Sequence, residues 1–201
     1  MADFETTTDP LDCRVWGWGL ANVATPNEVD TGHDLEHFLN VVSEKSATVY
    51  FHNLKFDGHF IMSWLFRNGF EHVSKTPLPN QFTSLISSQG MFYSLTVNWG
   101  ESITEFRDSL KKLPFGVRRI AETFGLPISK GDIDYEAPRP LGYRMSDVER
   151  DYIERDVSIV ATALQEVLGQ GMTRLTVASD ALAEYKSTVN KQLYKRMFPT
   201  L

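Results

Sequence analysis

Three acidic groupings in the chain have residue types and spacings that could do chemistry. Asp3 and Glu5 lie two apart in Asp3-Phe4-Glu5-Thr6. On a strand, side chains two apart point the same way, so the pair would set two carboxylates side by side. Asn53 and Asp57 bracket Asn53-Leu54-Lys55-Phe56-Asp57, directly after the apolar run Thr48-Val49-Tyr50-Phe51. The junction where a buried strand opens into a helix is a favoured ligand location in open α/β sheets. Tyr152 and Asp156 stand four apart in a long helical segment and therefore share a helix face. Carboxylates gathered in number suit hard divalent cations, which prefer oxygen ligands. Each grouping alone also has a plain structural reading. The first could be the solvated face of an edge strand. Asn53 could cap a helix with Asp57 favourably placed in its first turn. Tyr152 and Asp156 could be the packed and solvated sides of an amphipathic helix.

The elements that must position these residues can be read from periodicity and turn chemistry. Arg14 to Leu20 alternates large and small residues and predicts a strand. Pro26 and Asn27 mark a turn. Leu35, Phe38, Leu39 and Val42 recur at helical spacing behind Asp34, a suitable cap. A short buried strand is expected over Thr48–Phe51, and a helix over Phe56–Arg67 with Gly69 as its stop. Runs Phe82–Ser88 and Met91–Val97 flank Gln89-Gly90, a hairpin signal. Ser102–Phe106 predicts another strand, and Pro114–Phe124 a helix ending near Gly125. Lys130–Leu141, rich in proline, predicts a loop. Ser146-Asp147-Val148-Glu149 matches the capping box and opens a long helix to about Leu168. Met172–Met197 is expected to be helical. Early strands, interspersed helices and long late helices predict an α/β fold with a mixed sheet.

Composition narrows the function classes. The chain has 201 residues, 42% hydrophobic and 23% charged, which excludes disorder, collagen and coiled coil as whole-chain descriptions. One cysteine, Cys13, excludes a disulfide framework and a cysteine-based zinc site. The net charge of -6 argues against coating nucleic acid by bulk electrostatics, but not against acting on it through bound metals. No apolar run approaches the roughly 18 residues of a membrane span. Met1-Ala2-Asp3-Phe4-Glu5 lacks the basic and apolar stretches of a signal peptide, so a soluble, cytoplasmic protein is expected. The five histidines form no HExxH pair, and neither GxxxxGK[ST] nor GxGxxG occurs.

Taken together, D-x-E, N-x-x-x-D about 50 residues on, and Y-x-x-x-D about 100 residues further is the order seen in DEDD-type 3′–5′ exonucleases. The chain resembles the proofreading exonuclease domain of family B DNA polymerases, and within it the protein-primed polymerases of small tailed phages. The resemblance is carried by Asp3-Phe4-Glu5-Thr6-Thr7, Tyr50-Phe51-His52-Asn53-Leu54-Lys55-Phe56-Asp57-Gly58, Asp108-Ser109-Leu110-Lys111-Lys112-Leu113-Pro114-Phe115, Lys130-Gly131-Asp132-Ile133-Asp134-Tyr135 and Phe198-Pro199-Thr200-Leu201. It covers essentially the whole chain.

That resemblance implies a ribonuclease-H-like mixed sheet flanked by helices, and a single exonuclease domain over 1–201 without the polymerase domain. Asp3, Glu5, Asp57 and Asp156 match the four metal-binding carboxylates. Tyr152 matches the tyrosine that orients the attacking water, and Lys130 a lysine that supports catalysis electrostatically. Thr6, Asn53, Phe56, Ser109, Leu110 and Tyr135 match residues that hold the 3′ end of single-stranded DNA. The implied cofactors are two divalent cations, Mg²⁺ or Mn²⁺. The implied partners are a single-stranded DNA 3′ end and, for a fragment, a polymerase domain in cis, in the host cytoplasm if the chain is encoded by a phage or mobile element.

The chemistry gives independent sense to these residue types. Phosphodiester hydrolysis needs an activated water and a stabilised leaving oxyanion, which two divalent ions can supply. Tyr152, neutral at pH 7, can hydrogen-bond a water without competing for metal. Phe56 and Tyr135 offer faces for base stacking, which is indifferent to sequence. Two alternatives remain at this point: a catalytically idle module that holds a DNA end or a partner, and a nuclease of the same chemistry acting on RNA. Only Met1 and Ala2 precede Asp3, so fraying of the first strand is expected to weaken the metal site.

Overall fold

The computed structural model describes residues 1–126 and 133–199. Eight strands form one sheet: β1 (Ala2–Thr6), β2 (Val15–Ala21), β3 (Val29–Gly32), β4 (Ala47–Phe51), β5 (Glu71–His72), β6 (Gln81–Ile86), β7 (Phe92–Asn98) and β8 (Ile103–Asp108), in the order β3-β2-β1-β4-β8-β7-β6-β5. β1 runs parallel to β4 and β4 to β8, whereas β2, β3 and β7 join antiparallel. The helices are α1 (Leu35–Ser43), α2 (Leu54–Arg67), α3 (Val117–Phe124), α4 (Asp147–Gly169), α5 (Val177–Thr188) and α6 (Lys191–Met197). The expected α/β architecture, a mixed sheet flanked by helices, is what forms.

Two cores lie on opposite faces of the sheet. Phe4, Trp18, Phe38, Phe51, Ile61, Leu95 and Phe106 bury one face beneath α1 and α2. The Phe4 ring meets Phe38 and Phe51 edge-on, each at 4.8 Å. Met1, Tyr50, Ile120, Ile153, Val157 and Leu164 bury the other face beneath α3 and α4. Alternation along β1 therefore sends Phe4 into the first core and Asp3 and Glu5 toward α4.

Packing of α4 depends on two glycines. In the β1/β2 register Asp3 faces Gly19 and Glu5 faces Gly17. A Cβ added at Gly19 would stand 2.7 Å from Ile153 Cγ2 and 2.9 Å from Val157 Cγ2. The missing side chains let α4 settle onto β2, which brings its polar edge over the β1 carboxylates. The expected capping box of α4 is present: Ser146 and Glu149 satisfy each other's backbone N–H groups.

Three expectations need correction. β3 and β5 were not expected, because Val29-Asp30-Thr31-Gly32 and a two-residue strand carry no legible alternation. The C-terminal helical stretch is two helices, because Val189 is extended and Asn190 recaps the chain by accepting from the N–H groups of Gln192 and Leu193. The start of β1 is not frayed. Met1 and Ala2 are buried, and the terminal amine donates to the Ala21 carbonyl at 2.7 Å. Among the described residues, no helix is long and apolar enough to cross a membrane.

Candidate active site

The four candidate carboxylates arrive from three remote parts of the chain. β1 supplies Asp3 and Glu5, the first turn of α2 supplies Asp57, and the middle of α4 supplies Asp156. They act on one another in a partly desolvated site, with Glu5 and Asp57 buried and Asp3 and Asp156 half-buried. Asp3 titrates at about 7, raised by burial and then by the charge of Asp156, against a hydrogen bond from the Phe4 N–H. Glu5 titrates at about 8, raised by burial and by Asp3, Asp156 and Glu149, while Arg139 draws it down. Asp57 is raised well above the usual carboxylate range by burial, with Asp3 and Glu5 adding to the effect. Burial also raises Asp156, opposed by a hydrogen bond from Tyr152 and by Arg155.

This crowding is costly without a counter-ion. Buried like charges disfavour ionisation, and the alternatives are protonation or a bound cation. Asp57 is 2% exposed, and its Oδ1 has no hydrogen-bond partner. A buried, unpartnered carboxylate oxygen in an all-oxygen donor set fits a hard divalent cation. The carboxylates converge without closing to ligand spacing: among the described residues, no three His, Cys, Asp or Glu side chains form a finished metal-holding group.

Tyr152 lies one turn before Asp156 on α4, half-buried. Its hydroxyl stands 3.0 Å from that of Tyr135, and burial with this contact raises its pKa, so it stays neutral. Tyr135 projects from the segment that follows the undescribed residues 127–132, and its ring is 48% exposed. Lys130 lies outside the described residues.

The remaining candidates surround the end of β4. Asn53 occupies the N-cap of α2 with φ 79°, in the left-handed region, and its side chain makes no capping bond. The capping explanation for Asn53 therefore does not hold, and its amide is left available. Phe56 is 48% exposed beside Phe60, at 5.5 Å between ring centroids. Thr6 ends β1 at an irregularity in the pairing with β2. Ser109 and Leu110 form a 3₁₀ turn, Ser109–Lys111, directly after β8.

Sequence reasoning missed two residues that organise this end of the site. Asp108 Oδ1 accepts the backbone N–H groups of both Asn53 (3.1 Å) and Leu110 (3.0 Å), so one carboxylate oxygen ties the two loops together. The signal was available, since an aspartate just before Ser109-Leu110 is a natural cap. His52 bridges Ser109 Oγ through Nδ1 (2.9 Å) and the Phe115 carbonyl through Nε2 (2.7 Å). Burial lowers its pKa, which favours the neutral ring. Nε2–H then donates to the carbonyl, and Nδ1 accepts from the serine. The pair is not a nucleophilic dyad, because Ser109 is fully buried.

Comparison with known proteins agrees with this architecture. Residues 39–141 match the family model for DNA polymerase type B, organellar and viral. The chain is 44% identical to the DNA polymerase of Bacillus phage phi29, over 99% of its own length and 35% of the relative's. It is 32% identical to the DNA polymerase of Streptococcus phage Cp-1, over 99% of its length and 36% of the relative's. The solved structure of phi29 DNA polymerase complexed with primer-template DNA superposes on the whole chain and 36% of its own, with a TM-score of 0.93 and 42% identity. The same polymerase complexed with single-stranded DNA covers 96% of this chain and 35% of its own, with a TM-score of 0.90. The chain thus spans about a third of the length of the relatives it matches. A family model matched over half of the residues, together with this close structural likeness, assigns the chain to the type B DNA polymerases of organelles and viruses.

Proposed function

We propose that this chain is a metal-dependent 3′–5′ exonuclease acting on single-stranded DNA ends, the editing part of a type B polymerase. The observation that carries the reading is the mutual electrostatic contact of Asp3, Glu5, Asp57 and Asp156 in a buried site, with the Tyr152 hydroxyl on Asp156. These carboxylates would hold two divalent cations, Mg²⁺ or Mn²⁺. Bound there, such ions activate a water and stabilise the leaving oxyanion.

The protein's own side chains do the rest. Tyr152, neutral and anchored by Tyr135 and Asp156, holds a water by hydrogen bond without supplying charge. Thr6, Asn53 and Leu110 would grip the strand end, and Ser109, its side chain buried against His52, would contribute through the backbone of its 3₁₀ turn. The exposed faces of Phe56 and Tyr135 would stack bases, a sequence-tolerant contact suited to editing any nucleotide. Lys130 would add positive charge near the scissile phosphate. In proteins the size of the matched relatives, a polymerase segment in cis would deliver the primer end.

End-labelled DNA and RNA oligonucleotides, incubated with Mg²⁺, Mn²⁺ or chelator, test the reading. Stepwise shortening of single-stranded DNA from the 3′ end, only with metal, is expected. Cleavage persisting in excess chelator, or starting from the 5′ end, would refute it. Equal cleavage of RNA would extend the substrate class.

A further inference from the structure

Arg139 lies outside the set that carries the proposed chemistry, yet it is built into the site more thoroughly than any other cation among the described residues. Its side chain is 2% exposed. A guanidinium offers five N–H donors, and each meets an acceptor. Nε and one Nη2 hydrogen reach Glu149 Oε1, at 3.1 and 2.9 Å. The second Nη2 hydrogen reaches the Asp134 carbonyl at 2.7 Å. Nη1 reaches the carbonyls of Ala137 (3.3 Å) and Tyr135 (3.5 Å). Its face lies 4.1 Å from the Trp16 ring centre on β2.

Each partner belongs to something the proposed reaction needs. Glu149 is the capping-box acid of α4, and its other oxygen accepts from Tyr143 Oη (2.7 Å), from the Ser146 N–H (2.9 Å) and from Ser146 Oγ (2.9 Å). Tyr152 follows one turn later and Asp156 one turn after that. The three carbonyls belong to the backbone on either side of Tyr135. One planar group therefore fixes the loop that presents Tyr135 to the start of the helix that presents Tyr152. The two hydroxyls meet at 3.0 Å where those elements converge.

We propose that Arg139 is a positioning residue for the exonuclease reaction: it sets the Tyr135–Tyr152 contact by clamping residues 134–137 onto the capped end of α4. The role rests on the nuclease reading above. It follows from the fork geometry rather than from charge alone, because a lysine offers three donors from one point and cannot span both elements.

The test compares wild type with Arg139→Lys, which keeps the positive charge beside Glu5 and Glu149. Arg139→Ala would strand Glu149 and risks not folding, so Glu149→Gln serves as the second variant: it keeps the shape and weakens the clamp. Hydrogen exchange read by mass spectrometry needs no activity. Faster exchange over 133–140 and the first turn of α4, with β4 and α2 unchanged, is expected in both variants. In single-turnover digestion with Mn²⁺, the rate constant should fall by roughly 10- to 100-fold, as for misplacement of a reacting group by about an ångström. Affinity for the oligonucleotide should change by no more than about threefold. The deciding measurement is a double-mutant cycle with Tyr135→Phe. If Arg139 acts through the Tyr135–Tyr152 contact, the two losses are strongly non-additive. Additive losses, or exchange unchanged over 133–140, overturn the proposal while leaving the nuclease reading intact. A wild type that leaves DNA uncut with metal present overturns the nuclease reading, and this role with it.

Discussion

At the scale of single residues, the site is a contest between desolvation and charge. Tyr152 offers the simplest test, since Tyr152→Phe keeps the packed ring and removes only the hydroxyl. The cleavage rate is expected to fall roughly 10- to 1,000-fold, as for loss of one positioned hydrogen bond in a site. Strand affinity should hardly change. Equal single-turnover rates for the two proteins would return Tyr152 to a packing role. Asp57 gives a second test, free of catalysis. Its buried Oδ1 lacks a partner, so ionised Asp57 weakens the metal-free fold. Asp57→Asn should therefore melt at or above wild type in chelator at pH 8. Metal bound only to the native state stabilises by about 2.7 kcal/mol at a hundredfold excess over Kd. Wild type should gain several degrees from Mn²⁺, and the variant much less. Matching gains would mean that Asp57 takes no part in a metal site. Much of this scale was legible in the sequence, because carboxylates two apart on a strand and a Tyr-Asp pair four apart on a helix fix their own directions. His52 and Arg139 were not legible, because their partners come near only in the fold, and of Asp108 only the local cap could be read, not its bond to the Asn53 N–H.

At the scale of elements, the sheet and the long helix divide the work. Strong signals read correctly: the Asp34 cap of α1, the Gly90 turn between β6 and β7, and the Ser146–Glu149 box of α4. These are local, and local chemistry survives folding. β3 was hidden because its pairing with β2 decides it, whereas the break at Val189 was missed although Asn190, a local cap, could be read there. The glycines of β2 lie between these cases. Gly17 and Gly19 read as strand residues, but their use as a seat for α4 shows only in three dimensions. Gly19→Ala should push Ile153 and Val157 away and lift Asp156 from the β1 carboxylates. A cost of about 1–3 kcal/mol is expected from overpacking. Activity should fall further than that loss of folded protein explains. Urea denaturation alongside single-turnover digestion separates the two. A fully active but destabilised variant would show that α4 can shift without harm.

Across the whole molecule, the carboxylates tie stability to pH. Asp3 and Glu5 carry protons up to about 7 and about 8 when folded, against ordinary values of 3.8 and 4.5. From about pH 4 to pH 8 these carboxyls bind more protons folded than unfolded, an excess only partly offset by the Met1 amine, which burial lowers from 8.0 to about 5. Stability must fall as pH rises through that window, and the cost is fully present above the folded values. Asp57 and Asp156 shift the same way. In chelator, the urea midpoint should be lower at pH 8 than at pH 5. Mn²⁺ should shrink that difference, because the metal takes the ionised carboxylates. A metal-free midpoint that is flat or rises with pH would show that these acids are not buried together.

The distance along the chain between β1 and α4 also has a meaning during synthesis. Asp3 and Glu5 leave the ribosome first, and Asp57 follows with α2. Asp156 emerges only after roughly five to twenty seconds more of translation, at typical speeds. Until α4 is made, a nascent chain carries three of the four carboxylates and lacks Tyr152. A ribosome stalled anywhere in the first two-thirds of this sequence would release a fragment that lacks Tyr152 and Asp156 and so, on the proposed reading, the means to cut DNA. On the proposed nuclease reading, competence is thereby conditional on the whole sheet, whose last strand ends at Asp108, having been made first.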